Sequence, residues 1–280
     1  PDHGRRPMAP SAAADTERST HHQRGEGIRM AAPQVLLVGG TGRTGRCVLR
    51  QLLQRGVAVR AIVRSARRLP EDLAGHPALI VVEADLLLLG ASDLLEQVRG
   101  CDAVVSCLGH TISLRGVFGP PHDLVARAVE RLCRSIEQTR PERPVRFVLM
   151  SSVSVNHPGG REARRGGLEQ VLLWVLRALV PPARDNQRAA DALHRRIGPG
   201  SPFVQWAVVR PDTLVEGGVS EYSVHPTLVS SLFKPDTTRR ANVAHFMCEL
   251  VTTPEAWDPW SGRLPVIVDA PARAPRDPGG

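Results

Sequence analysis

The chain has 280 residues, of which 42% are hydrophobic, so it is long enough and apolar enough to bury a sizeable core. Its formal net charge is +8, but it carries one lysine and one tyrosine and its arginines are interspersed with acids, so we do not expect it to bind nucleic acid. No apolar run approaches the roughly 18 residues of a membrane span, and the cysteines form no CxxC pair or zinc spacing, so we expect neither a membrane anchor nor a metal site.

The amino-terminal residues differ in composition from the rest of the chain. Residues 1–29 are rich in Arg, Ser, Ala, Gly and His and nearly free of large apolar residues, which predicts a disordered extension. They lack the apolar core of a secretory signal, and the scattered cysteines are typical of reduced thiols. We therefore expect a cytoplasmic protein with a single domain over residues 30–280.

From residue 34 onward, predicted strands and helices alternate. Short apolar runs predict strands at 34–38, 57–63, 78–82, 102–107, 145–150, 203–209 and 264–268. Apolar stripes at helical spacing predict helices at 43–55, 120–138, 168–180 and 183–197, and a further helix with Asn242 as its N-cap. This alternation predicts an α/β fold of the Rossmann type, a doubly wound parallel sheet with helices on both faces. Residues 211–240 break the pattern, and we expect a small C-terminal substrate lobe around residues 155–245.

A glycine-rich turn joins the first predicted strand to the first predicted helix. In a G-x-x-G-x-x-G turn, the first glycine permits the tight bend, the second lets the backbone approach a pyrophosphate, and the third lets helix and strand pack closely. The helix N-terminus then offers free N–H groups and partial positive charge to the phosphates. The sequence therefore predicts a dinucleotide site formed by Gly39, Thr41, Gly42, Arg43, Thr44 and Gly45.

The end of the second predicted strand indicates which dinucleotide binds. An NAD-binding protein usually carries an acid there for the ribose 2′-hydroxyl, whereas this chain has Arg64, followed by Arg67 and Arg68. A guanidinium binds a 2′-phosphate through charge-assisted hydrogen bonds. The sequence therefore predicts NADP(H) as the cofactor, with NAD and merely solvated arginines as the alternatives.

Several segments, in order along the chain, resemble the atypical short-chain dehydrogenase/reductase group, in its NAD(P)H-binding, NmrA-like branch. The likeness runs through most of residues 33–270, and the resembled proteins include some atypical ketoreductases. It rests on VLLVGGTGRTGR at 35–46, VRAIVR at 59–64, EADL at 83–86, VVSCLG at 104–109, FVLMSS at 147–152 and VRP at 209–211.

The resemblance implies roles on the adenosine side of the cofactor. Asp85 would accept from the adenine amino group, and Leu86 would flank the ring. Leu108 and Gly109 would pass beside the adenosine ribose. All four positions follow predicted strands, at the sheet edge where ligands of open α/β sheets bind.

On the nicotinamide side, the resemblance places Ser151 and Ser152 near the ring and has Pro211 brace its amide. The chain departs from the family here. Typical members carry Tyr-x-x-x-Lys on the next helix, where the tyrosine protonates the carbonyl and the lysine lowers its pKa. The only tyrosine in this chain is Tyr222 and the only lysine is Lys234, and the corresponding helix reads DNQRAA at 185–190.

Without that pair, a ketone reduction needs another proton source or another group to stabilise the developing alkoxide. Ser152 matches the family serine, and His110 could donate a proton near neutral pH, with water or a substrate hydroxyl as alternatives. Apolar residues at 111–121 suggest an apolar small-molecule substrate, such as a polycyclic one.

These observations leave three functions open. The preferred one is an NADPH-dependent ketoreductase, with reduction of a flavin or quinone as a variant. The second is a non-catalytic NADP(H)-sensing regulatory protein of the NmrA type, and the third is an isomerase or epimerase.

Overall fold

A computed structural model of the chain describes residues 33–109, 122–158, 166–169, 171–172, 174, 180–231 and 233–270. Four sequence predictions fall wholly or mostly outside these residues: the disordered extension at 1–29, the proton donor His110, the apolar segment at 111–121 and the helix at 168–180.

Eight strands form one sheet in the order β3-β2-β1-β4-β5-β6-β10-β8, and every neighbouring pair is parallel except β10 and β8. The first six strands have the order of a Rossmann fold, which confirms the predicted fold class. The short strands β7 and β9 form a separate parallel pair. The strands are β1 (Gln34–Val38), β2 (Ala58–Val63), β3 (Leu79–Glu83), β4 (Ala103–Ser106), β5 (Val145–Met150), β6 (Val204–Pro211), β7 (Thr213–Val215), β8 (Tyr222–His225), β9 (Thr237–Arg239) and β10 (Val266–Asp269).

Helices cover both faces of this sheet. One face carries α1 and α5, and the other carries α2, α3 and α4, whose last turn continues as a π-helical segment, Ala192–Ile197. The helices are α1 (Arg43–Gln54), α2 (Ala91–Val98), α3 (Leu124–Thr139), α4 (Pro181–Asp191), α5 (Arg240–Thr252) and α6 (Pro254–Trp257).

Strand β1 shows how the sequence imposes this layering. Leu36 and Val38 belong to the core beneath α2, α3 and α4, whereas Val35 and Leu37 belong to the core beneath α1 and α5. Successive side chains on a strand point to opposite faces, so a continuous apolar run requires helices on both. Because β1 pairs in parallel with β2 and β4, the carboxyl ends of these strands lie at the same edge of the sheet.

The second half of the chain departs from the predictions in three details. Pro181, expected to precede the helix, occupies its first turn, where a residue without a backbone N–H is tolerated. The prediction of Asn242 as an N-cap is wrong: α5 begins at Arg240, and the Asn242 side chain bonds Ser220 and Asp269. The irregular segment 211–240 supplies β8, which extends the main sheet as an antiparallel edge strand.

Candidate functional site

The strand order reverses between β1 and β4, the position where open α/β sheets bind ligands. A cavity of about 360 Å³ opens there at the carboxyl ends of β1 to β4. Its walls bring together residues predicted separately along the sequence for one cofactor: Gly39, Thr41, Gly42, Arg64, Asp85, Leu86, Leu108 and Gly109.

Two glycines of the turn are required by the fold itself. Gly39 has φ +79°, and an added Cβ would lie 2.5 Å from the Cys107 carbonyl at the end of β4. At Gly45 an added Cβ would lie 2.1 Å from the Gly39 carbonyl oxygen. A side chain at either position would separate the helix from the strand end, so these glycines hold the turn against the sheet.

Gly42 has a different role, because its surroundings leave more room. An added Cβ would lie 3.3 Å from the Gly39 oxygen, and the residue is the exposed N-cap of α1, with no side chain capping the helix. Uncapped N–H groups at a helix start bind anions. The absence of a side chain at Gly42 therefore keeps the approach to these groups open.

The threonines and the arginine of the turn differ in position. Thr41 lines the cavity, whereas Thr44 is 4% exposed and faces the interior. Arg43 is largely exposed and pairs with Glu216, which also accepts from Arg240 at 2.8 Å. Of these predicted side chains, Thr41 is the one directed at the cavity.

Arginines line the cavity wall beyond β2. Arg64 and Arg68 both contribute to it, as expected for a 2′-phosphate site, while Arg67 does not. Arg127 of α3 also lines the cavity and was not predicted from the sequence. Nothing in the local sequence marks Arg127, because its position depends on how α3 packs beside β4.

The loop after β3 forms another wall. Asp85 is exposed, and its Oδ1 accepts the Leu87 N–H at 2.9 Å, which leaves Oδ2 without a hydrogen bond in the described part of the chain. Leu86 is 6% exposed and packs into the core while lining the cavity. Further apolar lining residues were not predicted: Val38, Ile62, Val63, Ala84, Leu87, Leu88, Cys107 and Leu124.

The predicted nicotinamide-side residues lie at the ends of β5 and β6. Ser151 is 7% exposed, and its Oγ is buried with no hydrogen-bond partner in the described structure. Pro211 is buried, and its carbonyl accepts the Val153 N–H at 3.1 Å. The Ser152 Oγ lies 2.6 Å from the Ser154 Oγ and also accepts the Ser154 N–H at 3.3 Å.

Two side chains in the helix region that carries Tyr-x-x-x-Lys in the resembled family, residues 185–190, make internal contacts here. Asp185 is 1% exposed, and its two carboxylate oxygens accept the N–H groups of Val125 and Ala126 at 2.8 and 2.9 Å. Gln187 accepts the Asn156 N–H at 2.9 Å and donates to the Asn156 carbonyl at 3.2 Å. These side chains hold the start of α3 and the loop after β5.

The only tyrosine of the chain lies elsewhere and is not activated. The Tyr222 hydroxyl lies 2.9 Å from Nδ1 of His245 on α5. Burial, reinforced by the nearby Glu249, raises the pKa of Tyr222 to about 12. Lys234 sits in an exposed turn with Ser231. The two residues therefore do not form the missing catalytic pair.

A second cavity, of about 280 Å³, lies beyond β5 and β6, where a substrate lobe was expected. Its described wall mixes apolar Val153 and Leu228 with polar groups. The Asp212 carboxylate there accepts from the Thr213 and Asp236 N–H groups at 2.8 and 3.0 Å and from the Ser230 hydroxyl. The carboxylate thus braces the surrounding loops.

Two further properties concern the described residues alone. They contain no group of three or more His, Cys, Asp or Glu side chains placed to hold a metal ion. Within them, no helix has the length and apolar character needed to cross a membrane.

Burial raises the pKa of the Cys107 thiol, which lines the first cavity, so this thiol stays protonated.

The cavity at the point where the strand order reverses (the switch-point cavity) and the glycine turn define a dinucleotide-binding protein of the Rossmann class. The sequence matches the profile of the NAD(P)H-binding family over residues 39–254, and the chain belongs to that family. The resemblance drawn from the motifs is thereby confirmed, and so is a nicotinamide dinucleotide as the cofactor.

Two curated relatives come from plants. The chain is 27% identical over 216 residues to an uncharacterised chloroplastic protein of Arabidopsis thaliana, covering 73% of this chain and 74% of that protein. It is 28% identical over 191 residues to the chloroplastic protein TIC 62 of Oryza sativa subsp. japonica, covering 63% of this chain and 34% of that protein. Both relatives are chloroplastic, which contradicts the predicted cytoplasmic location. Reduced thiols and a missing signal core do not distinguish one reducing compartment from another.

Solved structures share the fold. The oxidoreductase ylbE of Lactococcus lactis has a TM-score of 0.61 at 19% identity, covering 85% of this chain and 91% of its own. ChuY, an anaerobilin reductase of Escherichia coli O157:H7, has a TM-score of 0.60 at 18% identity, and the match covers 87% of this chain and 100% of ChuY. A short-chain dehydrogenase/reductase of Veillonella parvula, solved with NADP, has a TM-score of 0.57 at 15% identity, and the match covers 86% of this chain and 95% of that one.

Proposed function

We propose that this protein is an NADPH-dependent oxidoreductase that delivers hydride to the carbonyl, or a related conjugated acceptor, of a small molecule. The observation that carries the proposal is the switch-point cavity, which combines the glycine turn with Arg64 and Arg68 on one wall. An acid at the end of β2 would favour NAD, and arginines there favour the 2′-phosphate of NADP. The reductase and dehydrogenase names of the structural neighbours agree with this proposal.

The residues present fit the cofactor. The uncapped start of α1 would hold the pyrophosphate, with Thr41 beside it, and Asp85 would accept from the adenine amino group through its second oxygen. The buried Ser151 Oγ lacks a partner, which is costly unless a bound group supplies one. A nicotinamide amide next to Pro211 would supply it.

Bound NADPH would supply the hydride; the protein would position the acceptor and stabilise developing charge. Ser152 is suited to that second task. When Ser154 donates to the Ser152 Oγ from both its N–H and its hydroxyl, the Ser152 hydrogen remains free to point at a substrate oxygen. A serine polarised by two donors stabilises an alkoxide without itself being an acid, so solvent would complete the protonation.

The test is NADPH oxidation, followed at the cofactor's near-ultraviolet absorbance, against ketones, quinones and flavins. With an accepted substrate, Ser152→Ala should lower kcat by about 100-fold and leave NADPH affinity unchanged. Ser92→Ala, on the exposed face of α2, is the matched control and should change neither quantity. Normal turnover by Ser152→Ala would contradict the assigned role.

One observation favours a second candidate, an NADP(H)-sensing regulatory protein. The chain lacks the Tyr-x-x-x-Lys pair, and Asp185 and Gln187 in the corresponding helix region bond backbone groups instead. Tight NADPH binding with no oxidation by any acceptor in the panel would replace the reductase with this sensor.

A further inference from the structure

The turn after β2 carries the two arginines that face the cavity. It runs from Arg64 through Ser65 into a short 3₁₀ turn, Ala66–Arg68, and both arginines are exposed. An exposed turn with few apolar contacts does not hold long side chains in one place by itself. The position of Arg64 and Arg68 must therefore come from neighbouring elements.

Two side chains anchor this turn at its two ends. Glu83, the last residue of β3, accepts the Ala66 N–H on its Oε2 at 2.8 Å. Arg46 of α1 donates from Nη2 to the Arg68 carbonyl at 2.7 Å. Glu83 stands in register with Val63, the residue before Arg64, so its carboxylate reaches the turn directly from the adjacent strand.

The charge of Glu83 makes this contact informative. A carboxylate beside a phosphate site opposes binding of the phosphate, yet here it lies next to the predicted 2′-phosphate position. Its oxygen is used to fix backbone, and fixing the guanidinium groups before binding reduces the ordering cost of the phosphate contact. For Glu83 to favour binding of the phosphate, the gain in preorganisation has to exceed this repulsion.

We propose that Glu83 and Arg46 are positioning residues for cofactor selectivity, which hold Arg64 and Arg68 in place to receive the 2′-phosphate of NADPH. This inference rests on the NADPH preference within the proposed function. It does not depend on any turnover by the protein.

The experiment measures binding of adenosine 2′,5′-bisphosphate and of 5′-AMP by calorimetry, because the ratio of the two affinities isolates the 2′-phosphate. Glu83→Ala should lower this ratio about fivefold, since a lost charge-assisted hydrogen bond is worth roughly one kcal/mol. Its affinity for 5′-AMP should stay unchanged. Glu83→Gln keeps an acceptor oxygen and removes the charge, so its ratio should equal or exceed that of the unsubstituted protein.

A second variant tests the same point from another element. Arg46→Ala should lower the ratio to a similar extent. Arg50→Ala is the matched control, because Arg50 lies one turn further along α1 and bonds Asp72 at 2.7 Å, anchoring a turn that does not line the cavity. Arg50→Ala should leave the ratio intact.

The outcomes separate this inference from the proposed activity. An unchanged ratio in Glu83→Ala and Arg46→Ala, or an equal loss of both affinities, would overturn the positioning role. A ratio near one for the unsubstituted protein would overturn both that role and the NADPH preference. Strong 2′-phosphate selectivity without turnover would contradict only the reductase activity.

Discussion

The two halves of the cleft treat their polar side chains differently. On the adenosine side, at the ends of β1 to β4, Arg64, Arg68 and one oxygen of Asp85 are presented to the cavity. On the predicted nicotinamide side, Ser152 after β5 bonds Ser154, and Asp185 and Gln187 of α4 accept backbone N–H groups. The polar side chains on the first side face the cavity, whereas most of those named on the second side bond within the protein.

This difference agrees with the proposed function, in which cofactor binding and chemistry depend on separate sets of residues. In the proposed assignment the glycine turn would make the same contacts whatever reaction follows, because it would hold only phosphates. The chemistry depends on a few side chains around the nicotinamide, which can be replaced without loss of fold. Here Ser152 is the residue on which the proposed catalysis depends.

The largest effect is expected from a substitution at Gly42, which should prevent cofactor binding while leaving the fold intact. Gly42→Asp should lower NADPH affinity by at least about 100-fold, roughly 3 kcal/mol, because a carboxylate would stand where the pyrophosphate binds. Gly42 is the N-cap of α1 with φ −74°, a position at which aspartate stabilises a helix, so the thermal midpoint should not fall.

Gly200→Asp is the matched control for that experiment. An added Cβ at this exposed glycine meets nothing within 4 Å, and the net charge changes by the same amount. Fluorescence titration should show normal NADPH affinity. Normal affinity in Gly42→Asp itself would contradict the pyrophosphate assignment.

A moderate effect is expected in the other half. Asp185→Ala removes the acceptor of two N–H groups at the start of α3, so the free energy of unfolding in urea should fall by about 2 kcal/mol. Asp185→Asn retains one acceptor oxygen and should lose less. A variant with full stability and abolished turnover would instead make Asp185 part of the chemistry.

The smallest expected effect is a shift in the pKa of Tyr222, which tests whether this tyrosine could act as a catalytic acid. As the only tyrosine, its tyrosinate absorbance reports one group, and the midpoint should lie near pH 12 in the folded protein. In the unfolded chain it should lie near pH 10. Because folding raises this pKa, the stabilising contribution is complete below pH 10 and is lost as pH rises towards 12. A folded-state midpoint below pH 9 would indicate an activated tyrosine.

The sequence could predict many of the residues that line the first cavity, because their signals are local. The glycine turn, Arg64 and Asp85 each follow a strand directly, and apolar periodicity locates those strands. Other parts of the site come from distant positions along the chain: Arg127 of α3 lines the same cavity as Gly39 and Gly42. No pattern within a short window brings such distant residues together.

The second half was harder to predict for physical reasons. Strands β7, β8 and β9 have three or four residues each and mostly half-buried, polar faces, so they lack an apolar alternation. Asn242 satisfied the local rule for an N-cap, but its amide bonds Ser220 and Asp269, and the helix starts two residues earlier. Tertiary contacts decided both cases.

The position of β8 has a consequence for how the chain acquires its fold. In the sheet, β8 follows β10, although β10 comes some forty residues later in the sequence. During synthesis, the strand at Tyr222–His225 therefore lacks its neighbour among the described strands until Val266–Asp269 has left the ribosome. The nucleotide half closes through earlier and more local pairings. We expect a nascent chain arrested before residue 266 to bind the adenosine moiety while its substrate side is still unformed.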